Sequence, residues 1–118
     1  MRKRFTDADK WKKMWFRSLS GEHKNLWFYL TDECGFDGVL EIDPKAIEFY
    51  TGFTGDIPDI IKEKMGFQAI DADQVLCVKW LRFQYKELKE NVATHKRIIT
   101  RLREKGLDKH FPELESNF

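Results

Sequence analysis

The sequence predicts a small α+β domain, mostly helical, around one hydrophobic core. Three observations predict it. Most apolar residues recur at three- and four-residue spacing, the helical period. Short β-branched runs lie between turn-forming glycines, prolines and aspartates. The chain has 118 residues, 42% apolar and 14% aromatic, which suits a single core and excludes wholesale disorder.

The elements follow in order. Residues 1–5, with Arg2, Lys3 and Arg4, read as a flexible basic arm. Thr6 or Asp7 caps a first helix on which Trp11, Trp15 and Leu19 form one stripe. Ser20 caps a second, with Leu26, Trp27, Leu30 and Cys34 as its buried face. Gly35 fits a left-handed end there. Residues 39–42 read as a short strand. Asp43 caps and Pro44 opens a third helix, with Ala46, Ile47 and Tyr50 inward. Asp56 caps a fourth, with Pro58 in its first turn, which Gly66 stops. Its apolar face is Ile57, Ile60, Ile61 and Met65. Runs 67–70 and 74–81 form a hairpin around Asp71-Ala72-Asp73. The last helix runs over 88–105, with Leu88, Val92, Ile99 and Leu102 as its stripe and Gly106 at its end. Residues 6–107 make the domain, and 108–118, with Pro112, read as a C-terminal tail.

The middle six elements run helix, strand, helix, helix, strand, strand. That is the connectivity of a winged helix, a helix-turn-helix variant with a β-hairpin wing, here with extra N- and C-terminal helices.

Net charge is only +1, with 21 Lys and Arg against 20 Asp and Glu, yet the charge is segregated. Residues 1–18 hold seven bases and two acids, net +5. Residues 19–81 hold five bases and twelve acids, net −7, and residues 82–105 eight bases and three acids, net +5. Two basic segments flanking an acidic middle speak to partners rather than to fold.

Phosphate contact is the chemistry these basic segments fit. The candidates are Arg2, Lys3, Arg4, Lys10, Lys12 and Lys13 at the start. Lys89, Lys96, Arg97, Arg101 and Arg103 serve on the last helix. Lys89, Lys96 and Arg103 are spaced by sevens and make one stripe without an acid. Arg97 and Arg101 are an i, i+4 pair of like charge that a polyanion would relieve. A merely solvated face is the plain alternative. Lys62 and Lys64 lie on the expected recognition helix, but Asp56, Asp59 and Glu63 stand beside them, and the wing tip carries Asp71 and Asp73. Docking through the first and last helices is therefore expected. Trp80, Phe83 and Tyr85 are candidates for self-association or a protein interface, although sealing the last helix onto the core is the preferred role.

Catalysis is not expected. His23, His95 and His110 are widely separated and carry no local signature, and His95 fits better as a hydrogen-bonded helix residue near Tyr85, or as a weak phosphate contact. Cys34 and Cys77 lack paired metal-ligand spacing, so neither metal nor cofactor is expected. Two cysteines, no secretory signal pattern and no apolar run near ~20 residues point to a reducing cytosol and away from membranes.

Several of these residues are similar to a family pattern. Trp15-Phe16 before Leu19, then Lys24, Leu26, Trp27 and Tyr29-Leu30, then Glu33-Cys34 and Gly38, come in the family's order. Phe83-Gln84-Tyr85 with Leu88, Asn91, His95, Leu102 and Gly106-Leu107 is the most specific part. Over about residues 6–107 the chain resembles the N-terminal winged-helix domain of phage replisome-organiser proteins, relatives of DnaD-like replication-initiation proteins. Lys86 departs from the glycine that often follows Phe-Gln-Tyr. The resemblance implies DNA binding in replication initiation of a phage or prophage, in a bacterial cytoplasm, with replication proteins as partners. An interaction or oligomerisation module of a replication complex, or a winged-helix transcriptional regulator, would carry the same elements.

Overall fold

The computed structural model describes residues 5–114. It is an α+β protein, mainly helical, with one small antiparallel sheet. The order and pairing are compatible with a winged-helix-like class. The basic arm expected from Arg2, Lys3 and Arg4 lies outside the described residues.

The N-terminal helix is not the continuous one expected. A 3-10 stretch, Ala8–Lys12, is capped by Asp7, whose carboxylate accepts from the Asp9 N–H. Lys13 is extended, and a short α1, Met14–Arg17, follows. The break rotates the stripe. Trp11 is left 54% exposed, while Phe16 is fully buried in its place. Edge-to-face contacts to Trp11, Trp15, Trp27 and Phe28 hold Phe16 there.

Helix α2, Gly21–Glu33, starts as expected, with the Ser20 hydroxyl accepting from the His23 N–H. Leu26, Leu30 and Cys34 are its buried row. Its end differs from expectation. Cys34 leaves the helix in an extended conformation, and Gly35 is not left-handed. Gly35 is needed for room instead. A Cβ there would stand 3.0 Å from both the Val39 carbonyl and the Asp37 carboxylate, which folds back onto the Val39 N–H.

Strand β1, Val39–Glu41, leads to α3, Pro44–Thr51, with Asp43 capping the Lys45 and Ala46 N–H groups. Ile47 alone is buried on α3, and Tyr50 points outward, against expectation. Helix α4, Asp59–Met65, begins two residues later than expected because Pro58, not Asp56, is its N-cap. Ile61 and Met65 are fully buried on it.

Strands β2, Phe67–Ala69, and β3, Gln74–Cys77, complete the sheet in the order β1-β3-β2. Asp71 organises the hairpin tip by accepting from the Asp73 and Gln74 N–H groups. Leu76 pairs with Val39 and Leu40 with Val75, so Leu76 and Leu40 point to opposite faces. Both are buried, which means both faces of the sheet are covered.

The third strand does not continue to Leu81. At Val78 the chain turns directly into α5, Val78–Gln84. Gly66 makes the junction. Its carbonyl accepts from the Val78 N–H, and its φ is +72°. A Cβ on it would stand 2.6 Å from the Lys79 nitrogen, so only glycine lets α4 and α5 approach this closely. Trp80 and Leu81 then become buried helix residues.

Helix α6 is Ala93–Glu104, shorter than the span 88–105. Leu88 is buried, but it belongs to the approach and gives its N–H to Glu113. Ile98, Ile99 and Leu102 form the inner row of α6, and Gly106 ends it. The expected tail is packed as far as the description reaches. Two 3-10 turns, Asp108–His110 and Pro112–Leu114, bury Leu107, Phe111 and Leu114 in the core. Among the described residues no helix is long and apolar enough to cross a membrane.

Candidate nucleic-acid interface

Helix α6 is amphipathic in the ordinary sense, with its apolar row inward and cations outward. Lys96, Arg97, Thr100, Arg101 and Glu104 line a shallow open hollow of about 440 Å³ on its outer face. The two arginines are not free to wander. The guanidinium of Arg97 sits 4.8 Å, and that of Arg101 5.7 Å, from the ring centre of Phe36 in the α2–β1 turn. One ring thus holds two like charges a helical turn apart, and cation–π attraction offsets part of their repulsion. Among the described residues, Lys96, Arg97 and Arg101 have no carboxylate at ion-pair distance. Glu104 is the acid on the rim.

The expected stripe of Lys89, Lys96 and Arg103 does not form. Lys89 precedes α6, and its N–H donates to His95 Nδ1 at 3.0 Å. Val92, the N-cap, offers no side-chain acceptor, so His95 in the first turn closes that end. Tyr85 packs on the His95 ring edge to face, with centroids 5.3 Å apart. Arg103 is paired with Glu90 at 2.6 Å, so an acid does stand against that stripe.

The N-terminal cations go elsewhere. Lys10 is buried and donates to the Asp7 carbonyl, with its ammonium 5.3 Å from the centre of Phe28. Lys13 pairs with the Asp7 carboxylate at 2.7 Å and holds that carboxyl below its usual range. Lys12 is exposed. Lys64 leans off α4 to lie 5.5 Å from the centre of Trp15. Lys10, Lys13 and Lys64 border a cleft of about 390 Å³ between the N-terminal segment, α2 and α5. Lys62 faces a second hollow of about 490 Å³ beside Phe53, Ile57 and Phe67. Asp59 stands in the first turn of α4, and Asp71 and Asp73 are exposed at the tip of the β2–β3 hairpin.

Of the aromatic trio, Trp80 is buried, Tyr85 is half-buried and Phe83 is 48% exposed. More exposed than any of the three are Phe49, at 81%, and Tyr50, at 66%, neighbours on α3. Tyr50 stacks on Tyr29 of α2, with centroids 5.8 Å apart and planes at 20°. Glu33 and Asp43 lie close enough to Tyr29 to help burial raise its phenol above the ordinary value. The sequence reading missed this patch by turning Tyr50 inward, and it missed Phe36, whose role depends on a loop-to-helix contact.

Reactive groups are scarce. Cys34 and Cys77 are both buried free thiols, and the neighbouring Cys34, with burial, pushes the Cys77 thiol far up. A thiol kept protonated is a poor nucleophile. Among the described residues no group of three or more His, Cys, Asp or Glu is placed to hold a metal ion. In comparisons with known proteins, the chain matches no family model, no curated protein and no solved structure.

Proposed function

We propose that this protein is a DNA-binding winged-helix module that acts in phage or prophage replication initiation and grips duplex backbone through the outer face of α6. The observation that carries the DNA contact is the Phe36-held pair Arg97 and Arg101 beside Lys96, three cations on one face without acid partners among the described residues. Pre-positioned guanidiniums suit phosphate oxygens, because less side-chain freedom is lost on contact. The acidic first turn of α4 and the acidic wing tip disfavour the usual docking, in which that helix enters the major groove. The winged-helix assignment is supported by the element order and the sheet order β1-β3-β2. The replication role is supported by the family resemblance of Phe83-Gln84-Tyr85 and the helix that follows it.

Fluorescence anisotropy on a labelled duplex over a salt series tests the contact. Replacing Lys96, Arg97 and Arg101 together with alanine is expected to weaken binding at least about tenfold. It should also reduce the salt slope by roughly 2 to 3, one phosphate per cation. A triple variant with wild-type affinity and slope would remove the reading.

One observation favours a second reading, a protein-contact surface. Phe49 and Tyr50 are exposed side by side on α3, with ring centroids 5.0 Å apart. Aromatic side chains dominate the centres of interfaces. If α3 joins copies of the chain, sedimentation will show mass rising with concentration, and Phe49→Ser with Tyr50→Ser will return it to a monomer. A monomer at every concentration would exclude self-assembly through this patch.

A further inference from the structure

We infer that the cleft between the N-terminal segment, α2 and α5 is a binding site for unpaired nucleotides of single-stranded DNA. Its volume of about 390 Å³ falls within the range of small-ligand pockets. The apolar lining is almost wholly aromatic, with Trp15, Trp27, Phe28, Trp80 and Phe83. Trp15 and Trp27 meet edge to face at 5.0 Å, so the rings are braced rather than loose. Planar side chains of this kind accept any base, because every base has a π-face.

Charge at the cleft selects an anionic occupant. Lys10, Lys13, Lys64 and Lys79 line it against Asp7 and Asp32. Asp7 is already engaged by Lys13 at 2.7 Å. Lys64 is held over Trp15, and Lys79 is exposed, with no carboxylate at ion-pair distance among the described residues. A nucleotide joins a flat apolar ring to a phosphate, which matches braced aromatics beside ammonium groups. Bases in a duplex are stacked and cannot enter such a cleft, so the occupant is an unpaired strand. The cleft shares no lining residue with the α6 hollow, and the inference stands apart from the duplex reading.

The test is labelled oligothymidine, followed by anisotropy and by quenching of tryptophan emission as bases stack. Two variants keep the fold out of question. Phe83→Ala removes a ring that is 48% exposed. Lys79→Glu reverses an exposed charge while keeping the Cβ and Cγ that pack near Gly66. Each is expected to weaken oligothymidine binding at least about fivefold, with duplex affinity and melting temperature unchanged. The Lys96, Arg97 and Arg101 triple variant should do the reverse. Wild-type protein that binds duplex but not oligothymidine would overturn this inference and leave the α6 reading standing. Oligothymidine binding that neither variant weakens would also overturn it. Binding of an acidic, aromatic peptide without oligothymidine binding would overturn it in favour of a protein occupant.

Discussion

Phe111→Ala is expected to lower stability by about 3 to 5 kcal/mol, the cost of removing a large aromatic from a packed site. Phe111 is fully buried, although it lies in the segment that the sequence reads as a tail. Its ring anchors the final turns to the body together with Leu107 and Leu114. It also carries the Arg82 guanidinium 4.7 Å above its centre. The substitution therefore leaves a cavity and removes the platform under a partly buried charge. Domains of this kind have only about 5 to 15 kcal/mol in total, so the variant should unfold at markedly lower urea. Trp11→Ala, at a site 54% exposed, is the contrasting control and should cost under about 1 kcal/mol. A Phe111→Ala midpoint equal to that of the control would mean that the final turns do not pack on the core.

The missed tail shows what was legible in the sequence and what was not. Leu107, Phe111 and Leu114 are spaced by four and three, a helical face that the sequence does display. Pro112 masks it, because a proline reads as an end. The chain accommodates that proline by using two 3-10 turns in place of a helix. The β3–α5 junction was hidden for another reason. Val75, Cys77 and Lys79 alternate like a strand, while Cys77 and Leu81 are four apart like a helix. A run this short satisfies both periods. Contact with Gly66 decides between them, and that contact is tertiary.

The elements with chemical punctuation were readable. Ser20 and Asp43 cap α2 and α3, and Gly66 and Gly106 end α4 and α6, all at the expected positions. The candidate interface was legible only in part. Arg97 and Arg101 could be placed together from their spacing, whereas Lys89 could not be separated from them. Its exclusion depends on Leu88 and Lys89 giving their N–H groups to Glu113 and His95 before the helix starts. The pairing of Glu90 with Arg103 spans that same approach and has no helical spacing to betray it.

Glu113→Gln should destabilise the protein by about 2 to 3 kcal/mol at neutral pH, and the loss should disappear in acid. The Glu113 carboxylate receives a two-pronged contact from the Arg82 guanidinium, with one prong 2.7 Å from Oε1, and accepts the Leu88 N–H at 3.1 Å. Both side chains are less than a third exposed. The guanidinium, aided by the Leu88 N–H and opposed by burial, holds the carboxyl at about 2, down from 4.5. A lowered carboxyl stabilises the folded state only when ionised. Its contribution is complete above about pH 4.5 and is lost as pH falls toward 2. Urea titrations at pH 7, 4, 3 and 2 should therefore show a gap between wild type and variant that is constant near neutrality and closes in acid. A gap that persists unchanged at pH 2 would show that Glu113 acts through its shape and not its charge. Arg82→Lys separates the fork from the charge. Lysine keeps the charge but cannot bridge both carboxylate oxygens or lie flat on Phe111. It should recover only part of the acid-sensitive gap, which would place the fork, rather than simple proximity of opposite charges, at the point where the last turns are fastened to α5.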